Sequence, residues 1–209
     1  MSTTSQSVMD RLREATRPMH DAAEAHPFQK AFFSGALPKD EYGQYLGQLL
    51  LVHQALESSL ESKRSSCDAV NTSVQELQYQ VPFLMEDLKF LNVNVDSIKA
   101  KPSTEKIIAR INEAAEKNPV SLLGFHYVLF GSKNGGRFIA QRVREIYSLS
   151  DKGVRYMDPY GDQQRKYWQD FKDQMNACAL SEADQLAIVE SAKTMFVSFG
   201  EILSDLIPQ

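Results

Sequence analysis

The sequence predicts an all-α protein. Apolar residues recur at spacings of three and four along most of the 209 residues, which is the signature of amphipathic helices. No segment shows the strict apolar/polar alternation of a half-buried strand. Internal repeats and low-complexity tracts are also absent, and the length suits one domain or at most two small ones. We expect one domain over residues 8–206, preceded by a flexible segment at residues 1–7.

The first stripe is Met9, Leu12, Thr16, Met19/His20 and Ala23, with Pro18 inside it arguing for a kink or a helix start. A short helix follows at about Phe28 to Phe33, closed by Ser34-Gly35. Leu37-Pro38-Lys39-Asp40 opens a long helix to about Ser62, with Tyr42, Tyr45, Leu46, Leu49, Leu50, His53, Leu56 and Leu60 on its buried side. Ser65 to Thr72 and Asn92 to Ser103 read as polar connections. Further helices are expected at about 74–91, 105–117, 119–147, 160–177 and 181–206. The last begins with Ser181 three residues before Asp184, an N-cap arrangement.

Composition narrows the function. Hydrophobic content of 43%, charged content of 24% and a net charge of −4 are ordinary for a globular protein and give no global basic signal for nucleic acid or an anionic membrane. Leu49-Leu50-Leu51-Val52 is far too short to span a bilayer. Met1 to Asp10 lacks the apolar core of a secretory signal. Two cysteines, Cys67 and Cys178, fit a reducing cytoplasm better than a disulfide framework. We expect a cytoplasmic protein without a membrane anchor.

The run Gly131-Ser132-Lys133-Asn134-Gly135-Gly136 interrupts a strongly apolar helical stretch. Each glycine inside a helix costs about 1 kcal/mol relative to alanine. The run is therefore either a glycine-rich turn between two helices, or a strip of bare backbone against which a flat, bulky ligand lies. His20 supplies a second clue. It shares a helix face with Leu12, Thr16 and Ala23, which points it toward the core. A core histidine of purely structural role is the plain alternative. Glu24, four residues on, is within reach of the imidazole, and a metal-bound histidine commonly gives its other N–H to such a group. Arg13 and Arg17 on the same helix could hold ligand carboxylates, although a solvated face explains Arg17 as well. Haem is planar, anionic at one edge and needs an axial ligand, so it accounts for the histidine and the glycines together.

Leu12-Arg13-Glu14-Ala15-Thr16-Arg17-Pro18-Met19-His20 with Glu24 resembles the proximal helix of the haem oxygenases, and Gly131-Ser132-Lys133-Asn134-Gly135-Gly136 resembles their distal helix. Gln54-Ala55-Leu56-Glu57 and Glu190-Ser191-Ala192-Lys193-Thr194-Met195-Phe196 also look like the family. The resemblance implies a helical bundle with haem sandwiched between a proximal and a kinked distal helix. It makes His20 the iron ligand and Glu24 its hydrogen-bond partner. Arg13, Arg17, Tyr127 and Lys172 fall at the propionate edge, and Gly131, Gly135 and Gly136 face the porphyrin. His53 and Ser132 fall in a distal water network. Ser132 stands where many members carry Asp, and Pro18 is a second departure.

The implied reaction is reductant-dependent opening of haem b by O2 to biliverdin, with release of CO and iron. Electrons would come from an external ferredoxin, flavodoxin or NADPH-dependent reductase, which Arg17, Lys133, Arg137 and Lys172 could meet as a basic rim. A monomer is expected. A non-catalytic haem carrier or sensor is the competing function, with Ser132 marking lost chemistry. The related thiamin-hydrolysing proteins need a cysteine nucleophile, and neither Cys67 nor Cys178 lies in a matching context.

Overall fold

A computed structural model describes residues 6–207, so most of the segment expected at residues 1–7 lies outside the described residues. Among the described residues there are ten α-helices: α1 (Val8–Glu24), α2 (Pro27–Ser34), α3 (Lys39–Lys63), α4 (Asp68–Ser73), α5 (Val81–Phe90), α6 (Pro102–Lys117), α7 (Leu122–Gly131), α8 (Gly136–Tyr147), α9 (Gln164–Ala177) and α10 (Glu182–Asp205). No strand occurs among the described residues.

Helix α10 is the axis of the bundle, with α1, α6 and α7 packed against it. Helix α3 forms the second layer, against α5, α6 and α7. The closest approach is at Gly124, where a Cβ would land on the carbonyl of Ile188 and crowd the backbone of Ala192. Only a residue without a side chain lets α7 lie this near α10. Local signals explain the helix ends. Ser181 and Asp184 form a reciprocal capping box, with the Asp184 N–H donating to Ser181 Oγ at 3.1 Å and the Ser181 N–H to Asp184 Oδ2 at 3.0 Å. Gly35 ends α2 at φ +80°, a left-handed conformation that glycine adopts without steric cost.

Four expectations need correction. Residues 68–73 form a short helix rather than loop, and the expected helix at 74–91 begins only at Val81, after a tight turn at Glu76–Gln78. The Gln75 side chain accepts from the backbone of Gln78, and the Gln78 side chain accepts from the N–H of Gln75. That pairing competes with helix propagation, and Pro82 can open α5 because its missing N–H would have no helical partner there. Helix α1 runs through Pro18 unbroken, with Pro18 on its exposed side. Finally, the expected helix at 119–147 is two helices joined by a four-residue tight turn, Ser132–Gly135.

Residues 148–163 are mostly irregular but firmly held. Asp87, fully buried, accepts the N–H groups of Arg155 at 2.9 Å and Tyr156 at 2.8 Å. Tyr42 Oη donates to the Gly153 carbonyl at 2.8 Å. The chain then passes so close to α8 that a Cβ on Gly136 would land on the Met157 carbonyl oxygen. Gly135, next to it, would present a Cβ to open space, with nothing within 4 Å. We therefore predict opposite effects of two neighbouring substitutions, measured by urea unfolding. Gly136→Ala should destabilise by about 1–3 kcal/mol, the usual cost of overpacking. Gly135→Ala should be neutral or stabilising by up to about 1 kcal/mol. Equal losses at both positions would contradict this packing.

Candidate active site on the open face of the bundle

The buried stripe of α1 comprises Val8, Met9, Leu12 and Thr16, and stops there. His20 does not enter the core as its spacing suggested: its side chain is 54% exposed. The last turns of α1 project beyond the tightly packed interior, so the apolar face runs out before His20. Phe196 of α10 meets the edge of the imidazole, ring centres 6.0 Å apart. Asp21 lies 3.7 Å from Nδ1 and Glu24 3.8 Å from Nε2. Both carboxylates are within ion-pair range, and neither is at hydrogen-bond length. His20, Asp21 and Glu24 together make a group able to hold a metal ion, with ligand atoms within 4.8 Å of one another.

The other three histidines have protein partners. His26 caps α2, its Nδ1 accepting from the Phe28 N–H at 3.2 Å, while Nε2 meets Ser204 Oγ at 3.0 Å. His126 Nε2 pairs with Gln78 Oε1 at 2.9 Å. His53 lies between Glu57 on Nδ1 and the Tyr156 hydroxyl on Nε2, both at 3.2 Å. It is buried, so the structure places it in a polar chain behind the distal turn, connected to that turn through Tyr156.

The six residues of the glycine run divide by face. None has a positive φ, so conformational freedom is not why the glycines are there. Ser132 and Gly135 are exposed. Ser132 Oγ donates to the Leu129 carbonyl at 2.7 Å, which leaves its lone pairs free to accept. Lys133 and Gly136 face inward, against Tyr156 and Met157. Gly136 thus serves packing between α8 and the 148–163 segment. Lys133, only 4% exposed, cannot belong to a surface rim. Gly131 is backed by Trp168, whose ring would lie 3.1 Å from an added Cβ.

Trp168 organises the edge of this face. Its ring is 5.6 Å from that of Tyr127, and Lys172 stands one turn further along α9. Burial raises the Tyr127 phenol above its ordinary range, partly offset by Thr16 and by the charge of Arg13 on α1. Arg13 of α1 and Tyr127 of α7 are thereby neighbours, and Lys172 follows Trp168 on the same face of α9. Arg13 has a loose ion pair with Asp10 at 3.3 Å, and neither Arg17 nor Lys172 has an ion pair among the described residues. Arg137 is paired with Asp162 at 2.6 Å. A Cβ on Gly200 of α10 would likewise meet nothing within 4 Å, and Phe138 of α8 is 73% exposed.

Sequence reasoning missed Trp168, Gly200 and Tyr156. The first is the single tryptophan of the chain and lies one helical turn before Lys172, a usable signal. The other two depend on contacts between distant segments. Two surface hollows, of about 700 Å³ beside Met85 and Val93 and about 390 Å³ beside Arg64 and Leu77, touch none of these groups.

This all-α protein thus carries an exposed histidine flanked by carboxylates, uncovered glycines, and cations on α1 and α9. Comparison with known proteins gives its family. The family model described as Heme oxygenase matches residues 6–205, and the chain belongs to that family. Human heme oxygenase 1 is 24% identical over 96% of this chain and 72% of its own length. The heme oxygenase structure from Leptospira interrogans superposes with a TM-score of 0.89 at 23% identity, covering 95% of this chain and 99% of the other. That of heme oxygenase-2 from Synechocystis sp. PCC 6803, in complex with heme and NO, gives 0.90 at 24% identity over 96% and 85%.

Burial holds His126 down at about 3 and lowers His53 as well. The unfolded chain therefore takes up protons first as pH falls below the ordinary histidine value of about 6.5. The stability these residues contribute is full above that value and is lost as pH drops toward 3. Urea midpoints of the haem-free protein should fall between pH 6.5 and 5, and His126→Phe should make that fall shallower. An unchanged slope would mean that His126 is already protonated in the fold.

Proposed function

We propose that the chain degrades haem at the open face, with His20 as the axial ligand of its iron. Two observations carry this assignment: His20 is exposed with nitrogens that lack hydrogen-bond partners among the described residues, and a side chain on Gly135 would fill open space. Haem, when bound, supplies the oxygen chemistry by which its own ring opens to biliverdin with loss of carbon monoxide and iron.

The residues present suit that ligand. His20 offers a neutral nitrogen, and rotation of the exposed ring can bring Glu24 to hydrogen-bond length on the other one. Arg13 and Lys172 supply charge for two propionates, and Tyr127 supplies a hydroxyl between them. Gly135 leaves the second face of the ligand against bare backbone, beside Gly131, which Trp168 backs. Proton supply cannot rest on a carboxylate next to the first glycine, because Ser132 stands there. Ser132 can accept from water, and water in that position can donate onward. An external donor would provide electrons, and Arg17 with Lys172 offers an acidic partner a small basic edge.

His20→Ala should abolish the histidine-ligated haem spectrum, with recovery on adding imidazole. A spectrum unaltered by that change would remove His20 from the site. The water-based account is tested by single-turnover biliverdin formation. Ser132→Ala should slow it about fivefold, the worth of one neutral hydrogen bond, and pairing it with His53→Phe should cost far more. Complete loss from Ser132→Ala alone would make the serine the sole anchor rather than one member of a network.

A further inference from the structure

Lys133 is an unusual residue to bury. Ser132 and Asn134 on either side are exposed, yet Lys133 turns inward and its Nζ sits 3.0 Å from the centre of the Tyr156 ring. Among the described residues Nζ has no hydrogen-bond or ion-pair partner. Its charged neighbour is Asp87, whose carboxylate already accepts the N–H groups of Arg155 and Tyr156. Burial accordingly pushes the amine well below the ordinary lysine range. The contact with the Tyr156 face suits a lysine amine, and it leaves the amine's N–H donors without a protein acceptor among the described residues.

The neighbouring hydrogen bonds have a fixed direction. Glu57 accepts the N–H groups of Gln80 at 2.6 Å and Val81 at 3.2 Å, as a carboxylate does. His53 Nδ1–H must therefore donate to Glu57. Burial keeps His53 neutral, so its Nε2 carries a lone pair and the Tyr156 O–H must donate to it. The phenol proton is committed, and among the described residues nothing donates to the phenol oxygen. An amine with spare donors thus lies over the ring of a phenol with spare acceptor capacity, one residue from Ser132.

We propose that Lys133 is a positioning residue for haem degradation: together with Tyr156 it holds an oriented water behind the distal turn. The water accepts from a Lys133 N–H and donates one hydrogen to Tyr156 Oη. Its second hydrogen is left to point toward the open face and the water that serves the haem. The hydrogen given to Tyr156 is fixed, because Glu57 and His53 set the direction of the chain there, and the second is free to turn outward. No proton leaves Lys133; its part is to orient. Buried waters hold their place through two to four such partners.

The inference rests on haem binding at the open face, and the test separates the two. Lys133→Met, Tyr156→Phe and the double variant are compared by single-turnover biliverdin formation. The C–O stretching frequency of the reduced, haem-loaded protein under carbon monoxide is measured alongside, without turnover. Each single change should slow ring opening about tenfold and shift the C–O stretch in the same direction. The double variant should do no more than either single one, because both lose the same water. Additive effects, or an unmoved C–O stretch with Tyr156→Phe, overturn the proposal. Should Lys133→Met fail to fold, Tyr156→Phe alone decides: it must slow turnover and shift the stretch. A wild-type chain that binds no haem refutes the haem assignment itself, whereas one that opens haem as fast as its variants refutes only the role of Lys133.

Discussion

The contact on which the rest of this structure depends is backbone against backbone, where Gly136 meets the carbonyl of Met157 with no room for a side chain. It fixes the distal turn from behind, so that the opposite face of the same turn can be left bare. Asp87 makes the contact rigid from the other side by gripping the N–H groups of the two residues before Met157. Its carboxyl is raised by burial and opposed by those bonds, the balance expected of a buried anion retained for its hydrogen bonding. A turn pinned in this way keeps open space over Gly135 without collapsing into it.

That arrangement assigns different tasks to three glycines that look alike in the sequence. Gly136 permits a backbone contact, Gly131 lies against an indole, and Gly135 faces space. Their φ values are all helical, so the choice between a flexible turn and a bare strip resolves into neither alone. The chain stays right-handed through the turn, tightens over four residues, and uses each missing side chain separately.

What the sequence made legible follows from the range of the interactions involved. Most helices and most of their ends were readable, because capping at Ser181 and the left-handed stop at Gly35 are decided within a few residues. The residues at the two motifs were readable for the same reason, with the family resemblance to order them. The break between Ser73 and Val81 was not, since it turns on side chains of Gln75 and Gln78 competing with backbone bonds. The direction of Lys133 was also hidden. A lysine in a polar run reads as surface, and only the 148–163 segment, folding back from twenty residues further on, gives it an aromatic face to lie against. His20 erred in the opposite sense. Its stripe was real, but the core it pointed to ends at Thr16.

The distribution of charge makes functional sense of both errors. The cations at the edge of the open face, Arg13, Arg17 and Lys172, are solvated and cheap to keep, and each can turn toward an anion without disturbing the fold. Lys133 is different, because its side chain is buried and the described residues offer its amine only an aromatic ring and the field of an already occupied carboxylate. A group kept at such disadvantage is rarely there for stability, since exchanging a buried charge for a well-packed apolar side chain is often neutral or favourable. The same holds for the chain of Glu57, His53 and Tyr156, whose polarity is set by which atoms can only accept. Binding charge therefore lies on the outside of the bundle and directional hydrogen bonding on the inside, with the distal turn as the wall between them. A ligand on the open face can be held by the first and supplied with oriented water by the second, and neither set has to move.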